Sequence, residues 1–291
     1  NELMIQEITN GRLKESYYKV EHSSGLTVLL YPMLGFSSAY ALFGTRYGSI
    51  DTTFRSNDKE EFITVPEGVA HFLVHKLFES EDGVDAFELF AKTGASANAY
   101  TSFDRTCYEF TCTDHFEESL EILLNFVQSP YFTEKTVQKE QGIIGQEIRM
   151  LQDRPGWRVL FNLLNALYQN HPVKVDIGGT VESIAKIDAD LLYRCYHTFY
   201  HPNNMVLAVA GNFDYKKALE IVNRCIKQGD ISIQADSRMP DEPAEVAQKK
   251  ITDTLEVAVP LFNIGYKEQP LEGMKQVRAL AELEVLIEII T

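Results

Sequence analysis

Apolar and polar positions alternate with period two over residues 17–21, 26–31 and 38–44, and Ser-Ser-Gly at 23–25 and the stretch from Pro32 to Gly35 break the runs. β-branched and aromatic residues in such runs, punctuated by turn formers, predict paired strands. The period then changes. Thr64-Val-Pro-Glu67 has the form of a capping box with its proline in the first turn, and the apolar run 69–78 continues it as a helix. Residues 85–92 read as a second helix stopped by Gly94. Residues 97–103 and 106–113 read as a hairpin beside the first sheet, turning at Asp104-Arg105. Helical spacing governs 115–128 and 133–153, the latter closed by Arg154-Pro155, and returns over 157–168 and 188–200. Residues 205–210 form a short buried strand, and 214–227 the helix after it.

Between Gln228 and Lys250 the chemistry shifts to Asp, Ser, Pro and Glu with few large apolar residues, which predicts a linker over 229–250. Strands over 254–259 and 261–266 and a helix over 273–290 follow. Some forty residues are too few for an independent core. The expected organisation is therefore one half over 1–228 and the truncated beginning of a second, related half over 251–291. A faint echo of residues 41–48 in 261–267 adds modest weight to duplication. The fold class is α+β, an antiparallel sheet covered by helices.

Composition narrows the function. Of the 291 residues 45% are hydrophobic and 24% charged, which is ordinary globular material. A formal net charge of −15 repels phosphate backbones and anionic lipid alike, so neither nucleic acid nor a membrane surface is an expected partner. No run approaches the ~20 apolar residues of a bilayer span, and the first residues lack the pattern of a secretory signal. Cys107, Cys112, Cys195 and Cys225 show no C-x-x-C spacing, and the odd separation of the first two puts them on opposite faces of a strand. A reducing cytoplasm is the simplest compartment.

The densest chemistry is Gly68-Val-Ala-His71-Phe-Leu-Val74-His75. Four residues apart on a helix, His71 and His75 project from one face, the spacing by which a helix gives two imidazoles to one metal ion. An isolated H-x-x-x-H is more often a buried helix that happens to carry two histidines. A third ligand changes that balance, because catalytic zinc takes three protein ligands and leaves a fourth position to water. Glu140 and Glu147, seven apart on the helix over 133–153, are nearly superposed on one face. Solvated surface acids would show the same spacing. His197 and His201 are also four apart, but Pro202 puts the second at a helix end, where a core or capping role is the simpler account. Trp157 is expected to anchor one helix on another, and Gly178-Gly179, with no G-K-[ST] after it, reads as a turn before a helix. Glu81, Asp82, Asp85 and Glu88 read as a solvated acidic patch.

The segment from Glu67 to Glu79, the later Gly94-Ala-Ser-Ala-Asn-Ala-Tyr-Thr-Ser, and the pair Glu140 and Glu147 resemble the pitrilysin or insulinase family of inverted zinc metallopeptidases, whose signature is H-x-x-E-H with a distant glutamate. The likeness runs through most of residues 10–225 and is closest to short bacterial members built of two similar halves and related to mitochondrial processing peptidase. It implies a duplicated-half metallopeptidase sandwich, here with its second half incomplete, and a zinc-dependent endopeptidase acting on extended peptides. It assigns His71, His75 and Glu147 to Zn2+ and Glu140 to steadying a histidine ligand. Asn98, Ala99 and Tyr100 would belong to a strand whose free edge pairs with the substrate peptide. A homo- or hetero-dimer with a related chain is the partner it implies.

Val74 departs from the pattern. It stands where the family has the glutamate that takes a proton from the zinc-bound water, and valine accepts none. Losing such a base typically costs on the order of 10²–10⁴ in rate, so this chain is expected to bind zinc and hydrolyse poorly or not at all. A non-catalytic partner or assembly subunit of a two-subunit peptidase is the alternative. The survival of both histidines and both glutamates favours an isolated change in a competent lineage.

Overall fold

In the computed structural model, which describes residues 4–268 and 270–290, the elements run β1 (Met4–Asn10), β2 (Glu15–Glu21), β3 (Thr27–Pro32), β4 (Ala39–Thr45), β5 (Thr53–Ser56), β6 (Ile63–Thr64), α1 (Val69–Leu77), α2 (Ala86–Thr93), β7 (Ser96–Thr101), β8 (Thr106–Cys112), α3 (Phe116–Val127) and α4 (Glu134–Gln152). They continue as α5 (Pro155–Leu167), α6 (Val181–Ile184), α7 (Ala189–Phe199), β9 (Met205–Gly211), α8 (Tyr215–Cys225), β10 (Ala235–Ser237) and α9 (Gly273–Ile290). Seven strands make one sheet in the order β1-β2-β3-β9-β4-β8-β7. All neighbours are antiparallel except β3 and β9, a parallel pair whose ends are joined through the intervening strands and helices, as parallel strands require.

Register turns the period-two pattern into layers. Val28, Leu207, Phe43 and Tyr108 lie side by side across the sheet, and Leu30, Val209, Ala41 and Phe110 form the next row on the same face. All eight are buried. Helix α3 covers this face over β4 and β8, and α8 covers it over β3, adding Leu120, Leu123, Leu124 and Val222 to one continuous core. Each fully buried aliphatic or aromatic side chain there contributes roughly 1.5–3 kcal/mol. The hairpin β7–β8 forms as expected and joins the first sheet through the pairing of β8 with β4. Cys107 and Cys112 remain free thiols, as do Cys195 and Cys225.

Four local expectations are corrected. Thr64 does not cap α1: it lies in β6 with its hydroxyl on Thr53 Oγ1 (3.0 Å), and the helix starts from Gly68 in the left-handed region (φ 93°) with no side-chain cap. Trp157 donates its indole N–H to the Asp176 carboxylate, tying α5 to a loop and not to another helix. The stretch 229–250 is not a free linker. Its β10 pairs with β5 in a second, three-stranded sheet, and Glu242 accepts the N–H groups of Gln169 (2.8 Å), Asn170 (2.7 Å) and His171 (2.7 Å). Acids that look like solvated turn residues are here caps for a neighbouring segment.

Residues 254–266 form no strand. A strand needs an edge to satisfy its backbone groups, and this segment instead lies along α5, with Gly265 close to Leu163 and Leu167, while just ahead of it the Gln248 N–H reaches Ala166 O (2.9 Å) and Asp253 accepts from Arg158 (2.7 Å). Val259, Phe262 and Tyr266 stay exposed. Helix α9 forms where the pattern predicts it. Among the described residues no helix is long and apolar enough to cross a membrane.

Candidate metal centre

Helix α1 packs against β7, α4 and α7, which fixes the direction in which its two histidines point. Helix α4 starts from a capping box between Thr133 and Thr136 and runs nineteen residues without interruption, so Glu140 and Glu147 face α1 two turns apart. The four side chains meet. His75 Nδ1 lies 2.9 Å from Glu140 Oε1, and its Nε2 lies 3.4 Å from Glu147 Oε2. His71 Nε2 is also 3.4 Å from Glu147 Oε2, and the imidazole centroids are 4.7 Å apart at an interplanar angle of 68°.

One ligand atom from each of His71, His75 and Glu147 falls within 4.8 Å of the other two. Zinc bonds of about 2.0–2.1 Å at tetrahedral angles put neighbouring ligand atoms roughly 3.3–3.4 Å apart, so both histidine–glutamate separations already match that spacing. Two imidazoles and a carboxylate are also a donor set suited to zinc, and Glu140, itself buried, hydrogen-bonds the remaining nitrogen of His75 in the way metal-bound imidazoles usually require. The residues fit the ion. Hydrogen bonds from His71 and then His75 hold the Glu147 carboxyl far below the usual carboxylate range, against the effect of burial. For His75 burial lowers the pKa, but hydrogen bonds to Glu140 and Glu147 outweigh it and raise the imidazole to about 9.

Val74 precedes His75 on α1 and is 7% exposed, part of the hydrophobic core. It offers no atom that could take a proton. Strand β7, carrying Asn98, Ala99 and Tyr100, is the last of its sheet, and β8 is its one neighbour among the described residues. Asn98 folds its Oδ1 onto the Ala99 N–H (2.9 Å), so an incoming strand that pairs there must displace it.

The other candidates stay apart from this group. His197 stacks on Tyr193 (6.0 Å between centroids), and His201 precedes the short 3-10 turn Pro202–Asn204. Asp85 caps α2, and Asp82 accepts from the hydroxyl of Ser80, so the acidic patch is occupied locally. Spacing gave no sign that Gly178 would lie beside His71: a methyl group on it would touch His71 Cδ2 at 3.7 Å and Ile148 at 3.6 Å.

Residues 64–181 match the family model described as Insulinase (Peptidase family M16), and residues 186–290 match the one described as Peptidase M16 inactive domain. The chain belongs to peptidase family M16. The first M16 match contains His71, Val74, His75, Glu140 and Glu147 together. An uncharacterized zinc protease of Bacillus subtilis, YmfH, is 55% identical over 211 residues, covering 72% of this chain and 49% of its own. The crystal structure of an M16-like peptidase from Alicyclobacillus acidocaldarius is 39% identical with a TM-score of 0.76, covering 85% of this chain and 56% of that one. Pitrilysin, 18% identical with a TM-score of 0.62 over 77% of this chain and 24% of its own, shares the fold. The chain spans about half the length of the curated M16 relatives it matches.

Proposed function

We propose that His71, His75 and Glu147 hold one Zn2+ and that the chain descends from zinc metalloendopeptidases acting on extended peptides, with hydrolysis disabled by Val74. The observation that carries this reading is the convergence of three ligand atoms within 4.8 Å of one another, both histidine–glutamate separations at 3.4 Å, with Glu140 bonded to the far nitrogen of His75. Bound there, zinc supplies a Lewis acid that polarises a peptide carbonyl and acidifies water. The chain's own residues do the rest. Glu140 fixes the ring of His75 and leaves Nε2 facing Glu147. The free edge of β7 at Asn98, Ala99 and Tyr100 offers backbone groups to a substrate strand once Asn98 yields the Ala99 N–H. At Val74 the step that needs a proton acceptor has none.

The second reading, a non-catalytic partner in a dimer with a related chain, is favoured by Val74 alone. The two part on a single repair. The assay is hydrolysis of a quenched peptide library by the full-length protein and its Val74→Glu variant, with zinc measured on both. Stoichiometric zinc in both and activity in the repaired protein support the peptidase lineage. Stoichiometric zinc without activity in either supports the partner subunit, and no zinc in either sinks the metal centre. A cytoplasmic setting belongs to the same proposal, supported by four cysteines that remain free thiols.

A further inference from the structure

Helix α1 begins without a side-chain cap, so something else must fix where it starts and how far His71 stands from α4. The backbone does it. Gly68, at φ 93°, presses against the turn at residues 176–180: a methyl group on Gly68 would stand 2.5 Å from the Gly178 carbonyl oxygen and 2.9 Å from its carbon. The contact is reciprocal, because Gly179, at φ 76°, faces the Glu67 carbonyl so closely that its own methyl would stand 2.5 Å from that oxygen. Neither position admits a side chain on conformational or steric grounds. Ser183 closes the joint, its Oγ donating to Glu67 O (2.8 Å) while accepting the Thr180 N–H (2.9 Å).

The turn is itself anchored on the far side. Asp176 accepts the Gly178 N–H (2.9 Å) with one carboxylate oxygen and the Trp157 indole N–H with the other, which ties it to α5, the helix directly after α4. Between these anchors Gly178 fills the space between the ring of His71 on α1 and Ile148, the residue after Glu147, on α4. The turn therefore touches both helices that carry the ligands, immediately behind them.

We propose that the turn at residues 176–180 is a rigid brace that sets the separation of His71 from Glu147, and that Gly68, Gly179 and Ser183 are positioning residues for the metal centre. The assignment rests on the zinc reading above for its purpose, while its mechanical part stands on the backbone contacts alone. Displacing a ligand's support typically weakens metal binding 10–100-fold. The brace acts on α1 through Glu67 and Gly68, so disturbing it loosens the first turn of that helix first.

The test uses the full-length protein and three variants: Ser183→Ala, Gly179→Ala and the control Gly35→Ala, which lies outside the brace and whose methyl meets nothing within 4 Å. Amide exchange in the metal-free proteins, Zn2+ affinity by chelator competition, and the visible spectrum with Co2+ in place of zinc are measured on each. Ser183→Ala is expected to raise exchange at residues 69–75 with α7 and α8 unchanged. Its Zn2+ affinity falls about tenfold or less, and the intensity of the cobalt bands changes. Gly179→Ala shows the same pattern with a loss of about 10–100-fold, and Gly35→Ala matches the parent. If Gly179→Ala does not fold, Ser183→Ala decides. Parent-like exchange at α1 and a parent-like cobalt spectrum in Ser183→Ala overturn the brace. If the parent binds neither ion the zinc reading fails, and exchange at α1 still decides whether the brace exists.

Discussion

In the proposed function a single side chain, Val74, stands between the candidate metal centre and hydrolysis, and its burial makes its exchange measurable apart from catalysis. Val74 is packed in the core directly before His75, whose ring already meets two carboxylates. Placing a carboxylate there without a cation adds a buried charge, so metal-free Val74→Glu should be less stable than the parent by about 1–3 kcal/mol. Zinc should restore most of that loss, and paired thermal melts with chelator and with zinc read both effects. Glu140→Gln keeps the shape of the residue that steadies His75 but removes its charge, and Zn2+ affinity should fall about 10–100-fold in a chelator competition. Away from the centre, buried His22 is held between Ser24 at Nδ1 (2.8 Å) and Asn223 at Nε2 (3.1 Å). Burial pushes its pKa down, and the Asn223 contact offsets this only in part. A histidine so depressed contributes stability above its unfolded pKa near 6.5, lost as pH falls through the lower folded value. Urea unfolding at pH 7.5 and pH 5 should show a smaller difference for His22→Gln than for the parent.

Most elements are legible from periodicity, because one buried face imposes a period of two on strands and 3.6 on helices. The runs at 26–31, 38–44 and 205–210 become β3, β4 and β9, and α2 starts at Asp85 and stops at Gly94 as its signals require. Strand β1 is not, since its residues are largely exposed and carry no buried face to pattern them. Neither is the start of α1, whose cap is a contact with residues 110 positions away in the chain. The candidate ligands are legible because helical spacing and the resemblance both act on His71, His75, Glu140 and Glu147. That Asn98 would occupy the Ala99 N–H is a matter of side-chain geometry that no spacing encodes. The strap after β10 has the same character. Glu242 is drawn into three N–H groups and onto Lys267 Nζ (2.5 Å), and these contacts outweigh burial and lower its pKa to about 2. Its contribution is present above its unfolded value of 4.5 and is lost as pH falls toward 2. Glu242→Ala should raise amide exchange at residues 241–253 and leave α3 and α8 unchanged.

At the scale of the molecule, one sheet and its helices bring two candidate ligands from α1 and one from α4 to the same point, while β7, beside α1, has its outer edge unpaired among the described residues. The M16 family models match residues 64–181, which hold α1, β7 and α4, and residues 186–290, and the chain covers about half the length of the relatives it matches. The net charge of −15 argues against nucleic acid as a partner and leaves the zinc proposal untouched. The zinc proposal is the central functional claim, and metal content tests it most directly. Full-length protein loaded with zinc and dialysed should hold one zinc per chain by elemental analysis, and His75→Ala and Glu147→Gln should each lose it. No zinc in the parent, or zinc retained in both variants, would contradict the account.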